Sequence, residues 1–212
     1  MKVVSLNIAK PTTIVVNRKK AQTGYFKKAV KTPIYLGKIG VKDDCVSDHV
    51  HHGGQDKACY IYGVNNYDFW KKKHPNVMFD FGLFGENITV DLLNEAELKI
   101  GTIFQLGEAK IQISQPRQPC YKMGVRFNNQ KVVKQFRLAA FPGIYVRVLE
   151  EGFVRKGAIL KVIESPENEL TVLEIYRLIY SEKPSKNELI KAVQSKFLAE
   201  NLKKYIINKF EL

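Results

Sequence analysis

The sequence predicts a mainly β protein with a few inserted helices, followed by a small C-terminal bundle of three helices. Short β-like runs recur at residues 3–6, 13–16, 34–36, 103–106, 111–113, 144–148 and 159–162, and glycines separate several of them. From residue 171 onward the apolar residues follow helical spacing instead. Many short strands with glycine turns favour a barrel or a sandwich over a sheet of βαβ units.

Two helices are expected inside the β-rich region. The first lies near residues 65–73 and carries Tyr67, Phe69 and Trp70. The second lies near residues 130–140, where the apolar positions repeat at helical spacing. Both interrupt the series of strands and do not alternate regularly with it.

A boundary is predicted around Ser165 and Pro166, so that residues 1–165 form the β domain and residues 166–212 the helical one. Thr171 and Glu174 have the spacing of a helix capping box, and Ser185 and Glu188 repeat it. We therefore predict three short helices that pack as a bundle.

Composition indicates a cytoplasmic protein that does not associate with a membrane. The chain has 212 residues, of which 45% are hydrophobic, enough for a core without a disulfide or metal staple. Its first apolar run is too short for a signal peptide, and no apolar stretch approaches the roughly 20 residues of a spanning helix. Cys45, Cys59 and Cys120 form neither a disulfide framework nor a CxxC pair.

The net charge of +13 favours binding of phosphate groups, whether on nucleic acid, a membrane or an anionic cofactor. The lysines are scattered, which is equally typical of a solvated surface. No RRM, KH or helix-turn-helix pattern is present, so nucleic acid is not the expected partner.

A histidine-rich segment contains His49, His51 and His52, followed by Gly53 and Gly54. The pattern is compatible with a structural turn, with an anion-binding or ligand-binding loop, or with a metal site. Its spacing is not that of HExxH. Sequence alone leaves these three interpretations open.

Cys120 lies in a segment that two prolines stiffen. Pro116 and Pro119 disfavour both a helix and a central strand, so we expect a rigid loop. Arg117 and Lys122 lie nearby, and cations favour the thiolate, the form that attacks substrates or binds metals. A buried structural cysteine remains the alternative interpretation.

These motifs occur in an order that resembles the MOSC family, named after the C-terminal domain of molybdenum cofactor sulfurases, and the helical tail matches its YiiM-like branch. The matching segments are Lys-Thr-Pro at 31–33, His-His-Gly-Gly at 51–54, Gly-Glu-Asn at 85–87, Pro-Arg-Gln-Pro-Cys at 116–120 and Gly-Ile-Tyr-Val-Arg-Val at 143–148. Residues 40–44 depart from the family's Gly-x-x-Gly-Asp pattern, and Gln55 stands where proline is common. Asp44 and Asp48 are therefore not assigned to the site.

The resemblance implies a β-barrel that binds the molybdenum cofactor, a pterin dithiolene with a phosphate. Cys120 would then be the thiolate ligand of molybdenum. The remaining cofactor-binding residues implied by the match are Lys31, His51, His52, Gly53, Asp56, Asn87, Arg117 and Lys122. Cations of this set would pair with the phosphate and pterin, and Asn87 with the pterin edge.

The implied activity is reductive removal of oxygen from N-hydroxylated small molecules, such as hydroxylaminopurine bases and amidoximes. The sequence has neither an iron–sulfur cysteine set nor a glycine-rich nucleotide motif, so electrons are expected from a separate iron–sulfur or flavin reductase. The alternative is a carrier of the cofactor, or of sulfur as a persulfide on Cys120, without turnover of its own.

Overall fold

The computed structural model describes residues 1–16, 18–47 and 53–212. Its strands are β1 (Val3–Ile8), β2 (Thr12–Val16), β3 (Lys19–Thr23), β4 (Lys28–Val30), β5 (Ile34–Gly37), β6 (Gly40–Val41), β7 (Cys59–Gly63), β8 (Ile88–Val90), β9 (Ile103–Leu106), β10 (Ala109–Pro116), β11 (Ile144–Glu150), β12 (Gly152–Val154) and β13 (Leu160–Glu164). Its helices are α1 (Val64–Lys73), α2 (Tyr121–Arg126), α3 (Lys131–Ala139), α4 (Val172–Tyr180), α5 (Lys186–Gln194) and α6 (Glu200–Phe210), and a 3₁₀ turn spans Gln55–Lys57. The predicted mixture of many strands with inserted helices is confirmed.

Eight strands form the main sheet, in the order β13-β9-β10-β11-β7-β8-β1-β4. Every neighbouring pair is antiparallel except β7 and β8, which are parallel. A parallel pair requires a crossover connection, and the segment between β7 and β8 supplies one that includes α1. Two smaller sheets, β12-β5-β6 and the hairpin β2-β3, flank the main sheet.

The start of β13, at one end of the main sheet, approaches the start of β1, the strand next to the other end, without forming a continuous ladder. The Val3 amide donates to the Ala158 carbonyl at 2.8 Å, and the Leu160 amide donates to the Met1 carbonyl at 2.8 Å. Lys2 and Ile159 form only an isolated bridge. The prediction of a closed barrel is therefore not confirmed, because in the described residues this seam is too short to count as paired strands.

The C-terminal helices were predicted, and their capping follows the sequence signals. At the start of α4 the Thr171 hydroxyl accepts from the Glu174 amide at 3.1 Å, and the Glu174 carboxylate accepts from the Thr171 amide at 2.7 Å. At the start of α5 the Ser185 hydroxyl accepts from the Glu188 amide at 3.4 Å. These bonds satisfy amides that the first turn of a helix leaves without a partner.

The helical tail packs directly on the sheet. Buried residues of α4, including Val172 and Ile175, belong to the same apolar cluster as Phe104 and Ile113 of the sheet. The division at residues 165 and 166 remains a prediction, since the two parts share one core.

A second core is aromatic and supports the inserted helices. The Trp70 indole donates to the Tyr62 hydroxyl at 3.0 Å and stacks on Phe136, with ring centroids 5.7 Å apart. Phe84 and Phe127 also pack in this aromatic cluster. It holds α1, α2 and α3 against one end of the sheet, which is where the candidate site lies.

One helix differs from the sequence expectation. Residues 117–120 form the loop that we predicted around Cys120, but the helix α2 that begins directly after it was not predicted, and Cys120 is its N-cap, with φ −127° and ψ 167°. The prolines restrict only residues up to 119, and Gly124 weakens the helical pattern of the next residues. A Cβ at Gly124 would lie 2.2 Å from the end of the Gln130 side chain, which would have to move to accommodate it.

Among the described residues, none of the helices has both the length and the apolar character needed to cross a membrane.

Candidate functional site

A cavity lies where the aromatic core meets the ends of β7 and β10. The segment after β3 forms one wall, and the segment before the 3₁₀ turn forms another. The lining residues are Thr23, Gly24, Tyr25, Lys27, Asp44, Cys45, Val46, Ser47, Lys57, Ala58, Tyr60, Gly85, Asn87, Arg117, Lys122 and Tyr145. Four of these are cations and one is an acid, so the cavity favours an anionic ligand.

Arg117 is a buried cation in this cavity, with only 3% of its surface exposed. Its guanidinium carbon lies 4.9 Å from the ring centroid of Tyr60 and 5.3 Å from that of Tyr25. These contacts hold the planar guanidinium by cation–π attraction. Its Nη1 atom has no hydrogen-bond partner within the described part of the chain. A buried charged donor without a partner costs free energy, and a ligand in the cavity would satisfy it.

Three tyrosines surround Arg117. Burial raises the pKa of Tyr25, Tyr60 and Tyr145, and the neighbouring Arg117 charge opposes only part of this rise. Their phenols therefore keep the proton at neutral pH and act as neutral donors. The Tyr60 hydroxyl donates to the Pro142 carbonyl at 2.9 Å, whereas the buried Tyr25 hydroxyl meets no acceptor among the described atoms.

Cys120 lies next to the cavity and is half-buried. The negative charge of its thiolate would raise the pKa of Tyr25 and Tyr145, so the sulfur is within electrostatic range of both phenols. Cys120 also lines a shallow outer depression, which we call the Cys120 depression, together with Pro119, Tyr121, Gln130, Val133, Lys134 and Arg137. Cys120 therefore connects the cationic cavity to the surface.

An ion pair closes the opposite wall of the cavity. The Lys27 ammonium contacts the Asp44 carboxylate, and both side chains are almost fully buried. The Asp44 carboxylate also accepts from the Asn87 side chain at 2.8 Å and from the Ala9 amide at 2.7 Å. These hydrogen bonds occupy the remaining acceptor positions of Asp44, which helps to offset the cost of burying the ion pair.

The side-chain amide of Asn87 forms its hydrogen bonds with other residues of the protein. Its Oδ1 accepts from the Tyr60 amide at 3.2 Å, while its Nδ2 donates to Asp44 and, at 3.4 Å, to the Asn7 carbonyl. These bonds connect the walls of the cavity to one another. A role of Asn87 at the pterin edge remains a prediction.

The carboxylate of Glu86 stabilises the turn that carries Asn87. It accepts from the Gly82 amide at 2.8 Å, from the Phe84 amide at 3.1 Å and from the Thr89 hydroxyl at 3.0 Å, and it also contacts the Tyr67 hydroxyl. Burial raises the pKa of Glu86, and these donors limit the rise. Glu86 is thus a buried support beneath the cavity.

The structure brings four of the sequence-predicted residues together. Asn87, Arg117 and Lys122 line the cavity, and Cys120 lies beside it. The remaining described residues of the predicted set are not in its lining. Lys31 is exposed and Gly53 is half-buried.

Asp56 accepts hydrogen bonds from the Arg147 guanidinium, with its Oδ1 2.8 Å from Nε. Asp56 therefore forms an ion pair with a neighbouring strand. His51 and His52 lie outside the described residues, as do His49 and Asp48. The cofactor-binding roles of all these residues stay predictions.

Sequence reasoning did not assign several polar lining residues to the site, among them Tyr25, Lys27, Asp44, Tyr60 and Tyr145. Asp44 had a signal, since it ends the segment that only partly follows the family's Gly-x-x-Gly-Asp pattern. Tyr145 had one too, since it lies in the family-matching segment 143–148, whereas Tyr25 and Tyr60 had none, because aromatic residues in strands are typical of any core. Among the described residues, no group of three histidine, cysteine or acidic side chains is arranged to hold a metal ion.

Comparison with known proteins gives consistent results. The family model described as MOSC domain matches residues 48–161. The uncharacterized protein YflK of Bacillus subtilis (strain 168) is 35% identical over 199 residues, which cover 94% of this chain and 90% of that protein. The crystal structure of YiiM from Geobacillus stearothermophilus is similar with a TM-score of 0.83 and 28% identity, and the match covers 98% of each chain.

A fungal relative is much longer than this chain. A protein of Gibberella moniliformis (strain M3125 / FGSC 7600) named "Reductase" is 29% identical over 174 residues. The match covers 80% of this chain but 30% of that protein. This chain therefore spans less than a third of the fungal protein.

Proposed function

The chain belongs to the MOSC family, in its YiiM-like branch, and from this we propose that it binds the molybdenum cofactor and reduces N-hydroxylated small molecules. Cofactor binding would use the cationic cavity, with the Cys120 sulfur as the ligand of molybdenum. The observation that carries the proposal is the buried guanidinium of Arg117, whose Nη1 lacks a described partner in a cavity beside that cysteine.

The residues present fit a cofactor of this kind. An anionic phosphate would satisfy the Arg117 guanidinium, and Lys122 adds a second buried cation in the same cavity. A cysteine sulfur is a soft donor, which suits a transition metal better than it suits magnesium or calcium. Of Cys45 and Cys120, the two cysteines in or beside the cavity, only Cys120 has a cation within three residues on each side in sequence, at 117 and 122.

The reaction has a simple balance: R–NHOH, two protons and two electrons give R–NH₂ and water. The molybdenum cofactor would supply the two-electron chemistry when bound. Tyr25 would donate a hydrogen bond toward the oxygen that leaves, because burial keeps its phenol protonated. Tyr60 and Tyr145 would exclude bulk water from the same space.

Electrons would come from a separate protein. The sequence has no cysteine set for an iron–sulfur cluster of its own, which is the basis for this part of the proposal. The fungal relative named a reductase has more than two thirds of its length outside the matched region. This is compatible with further domains in that protein whose counterpart here would be a partner, an iron–sulfur or flavin reductase.

The test begins with anaerobic purification of the wild type, Cys120→Ala and Cys45→Ala from a host that makes the cofactor. Cys45→Ala is the matched control, since Cys45 is the other partly exposed free cysteine and lines the cavity. We expect molybdenum and pterin in the wild type and in the control, and loss of molybdenum in Cys120→Ala. A wild type without either component would contradict the proposal.

Turnover distinguishes the enzyme from a carrier. The cofactor-loaded wild type is mixed with 6-N-hydroxylaminopurine or benzamidoxime and a reduced viologen dye, and the amine product is measured. Product formation that Cys120→Ala lacks supports the reductase. A loaded protein that forms no product, but passes its cofactor to an apo-enzyme, would favour the carrier alternative, which the partial exposure of Cys120 also permits.

A further inference from the structure

Helix α3 presents a cationic surface beside Cys120. Between residues 109 and 149 the sequence contains eight lysines and arginines and neither aspartate nor glutamate. This run includes β10, α2, α3 and most of β11, so it contains the elements around the cysteine. Lys110 and Arg147 of this run form ion pairs with Glu150 and Asp56, and Arg117 and Lys122 are buried, so the surface charge of the run comes mainly from α3.

The cations of α3 face solvent. Lys131, Lys134 and Arg137 are exposed, while Val132 and Phe136 of the same helix are buried in the aromatic core. The i, i+3 spacing of the three cations places them along one side of α3. No described carboxylate forms an ion pair with any of the three, and the Arg137 guanidinium lies 5.4 Å from the ring centroid of Tyr180, a contact that does not neutralise its charge.

Two of these cations line the Cys120 depression. Lys134 and Arg137 form its edge, and Tyr121 and Val133 contribute apolar surface to it. A second depression, which includes Lys19 of the β2-β3 hairpin, shares Tyr121 and Gln130 with the Cys120 depression. The cations therefore surround an apolar patch that leads to the sulfur.

Exposed apolar residues lie among these charges. Tyr121 is 45% exposed and Leu138, one turn after Lys134, is 75% exposed. Aromatic residues and arginine are enriched at protein interfaces, where apolar contacts are framed by a polar rim. A nucleic-acid surface would instead need several stacking platforms along a basic groove.

We propose that the Cys120 depression and the exposed cations of α3 form the docking surface for an acidic electron-carrier protein. This proposal rests on the proposed function, because it assigns the electrons to a partner that approaches at Cys120. Electron transfer falls steeply with distance, so the carrier must dock where the redox centre is nearest to solvent. Positive charge there would attract a carrier with an acidic surface and orient it.

The test compares two charge-reversed double variants. Lys134→Glu/Arg137→Glu changes the proposed surface, and Arg155→Glu/Lys156→Glu is the matched control. The control pair lies in the exposed turn after β12, which contacts the Ala109 end of β10, whereas Cys120 follows the Pro116 end. Eight residues of strand separate these ends by about 25 Å. Both variants change the net charge equally.

Binding is measured with two acidic probes, a plant-type two-iron ferredoxin and a flavodoxin, by stopped-flow at low ionic strength. We expect Lys134→Glu/Arg137→Glu to decrease the association rate constant roughly 10-fold or more, and the control to stay within about 3-fold of wild type. At high salt the difference should largely disappear, because salt screens exposed charges. Equal decreases in the two variants, or no binding of either probe by the wild type, would overturn the proposal.

Binding of a mixed-sequence RNA or DNA oligonucleotide tests the other class of partner. If the oligonucleotide binds the wild type and loses binding in Lys134→Glu/Arg137→Glu while both carriers fail to bind, the surface is a nucleic-acid site and the proposal is wrong. A carrier that binds in preference to the oligonucleotide supports it.

Activity measurements separate this proposal from the proposed function. A reduced viologen dye delivers electrons without docking, so Lys134→Glu/Arg137→Glu should keep dye-driven turnover and lose ferredoxin-driven turnover. Loss of both would indicate damage to the site and overturn the docking assignment. A wild type without dye-driven turnover would reject the reductase function, while the binding experiment would still decide the surface.

Discussion

Replacement of Arg117 by methionine separates a ligand-binding role from a structural one. The guanidinium is buried among Tyr25, Tyr60 and Phe136, with its carbon 4.9–5.9 Å from the three ring centroids. Its Nη1 has no described hydrogen-bond partner. Methionine has a similar reach and no charge, and its sulfur packs favourably on aromatic rings.

Two opposing terms determine the stability of Arg117→Met. Loss of desolvated cation–π contacts costs about 2 kcal/mol. Removal of a buried donor without a partner returns about 1–3 kcal/mol. The free energy of unfolding of the cofactor-free protein should therefore change by less than about 1.5 kcal/mol, and Tm by less than about 6 °C for a chain of this size.

Ligand binding should respond much more strongly. A charge-assisted hydrogen bond from a buried guanidinium contributes about 1.5–3 kcal/mol, so Arg117→Met should weaken cofactor binding roughly 10- to 150-fold. Urea unfolding of the cofactor-free protein gives the first quantity. Molybdenum and pterin retained after dilution and gel filtration give the second.

Arg147→Met is the matched control. Its guanidinium is paired with Asp56 and also donates to Gln112 at 3.1 Å. Arg147→Met should lower the free energy of unfolding by about 1.5–3 kcal/mol, because hydrogen bonds between charged groups are lost. A large drop in Tm for Arg117→Met, with cofactor retention unchanged, would refute the ligand-binding role of Arg117.

Three further predictions concern the fold and the site. Burial raises the pKa of Glu86 and of Glu95, so the folded state holds protons that the unfolded state has released, and the free energy of unfolding should fall as pH rises through the folded pKa values. Urea unfolding from about pH 4 to pH 8 should show a shallower fall in Glu95→Gln than in the wild type. Thr171→Ala removes the cap of α4 and should lower the free energy of unfolding by about 1 kcal/mol; an unchanged thermal midpoint would contradict the capping assignment. Gly24→Ala should destabilise by about 3 kcal/mol or more and reduce cofactor retention, since its Cβ would lie 1.7 Å from a carbonyl oxygen of the cavity wall. Gly40→Ala, with open space around its Cβ, is the neutral control, and equal midpoints for the two glycine variants would reject the steric argument.

Local signals in the sequence predicted several elements well. The capping box at Thr171 and the helices near residues 65–73 and 130–140 depend on neighbours within one or two turns. The ordered motifs were sufficient to identify the family, because they record which residue types stand at each position. The strands β3, β4, β6, β7 and β12 were missed, since their pairing depends on other segments of the chain and not on a strong local pattern.

The sequence by itself determined that this is a β-rich MOSC protein with a helical tail, and that Cys120 and Arg117 belong to one motif. Only the tertiary structure decided which residues surround them. Tyr25 and Tyr145 come from segments 120 positions apart, and the local context of neither residue indicates that it lies beside Arg117. Their contact with Arg117 results from the pairing of β7, β10 and β11, and from the aromatic core beneath. Burial and the loss of water make that group of side chains a site, and no local pattern encodes either of them.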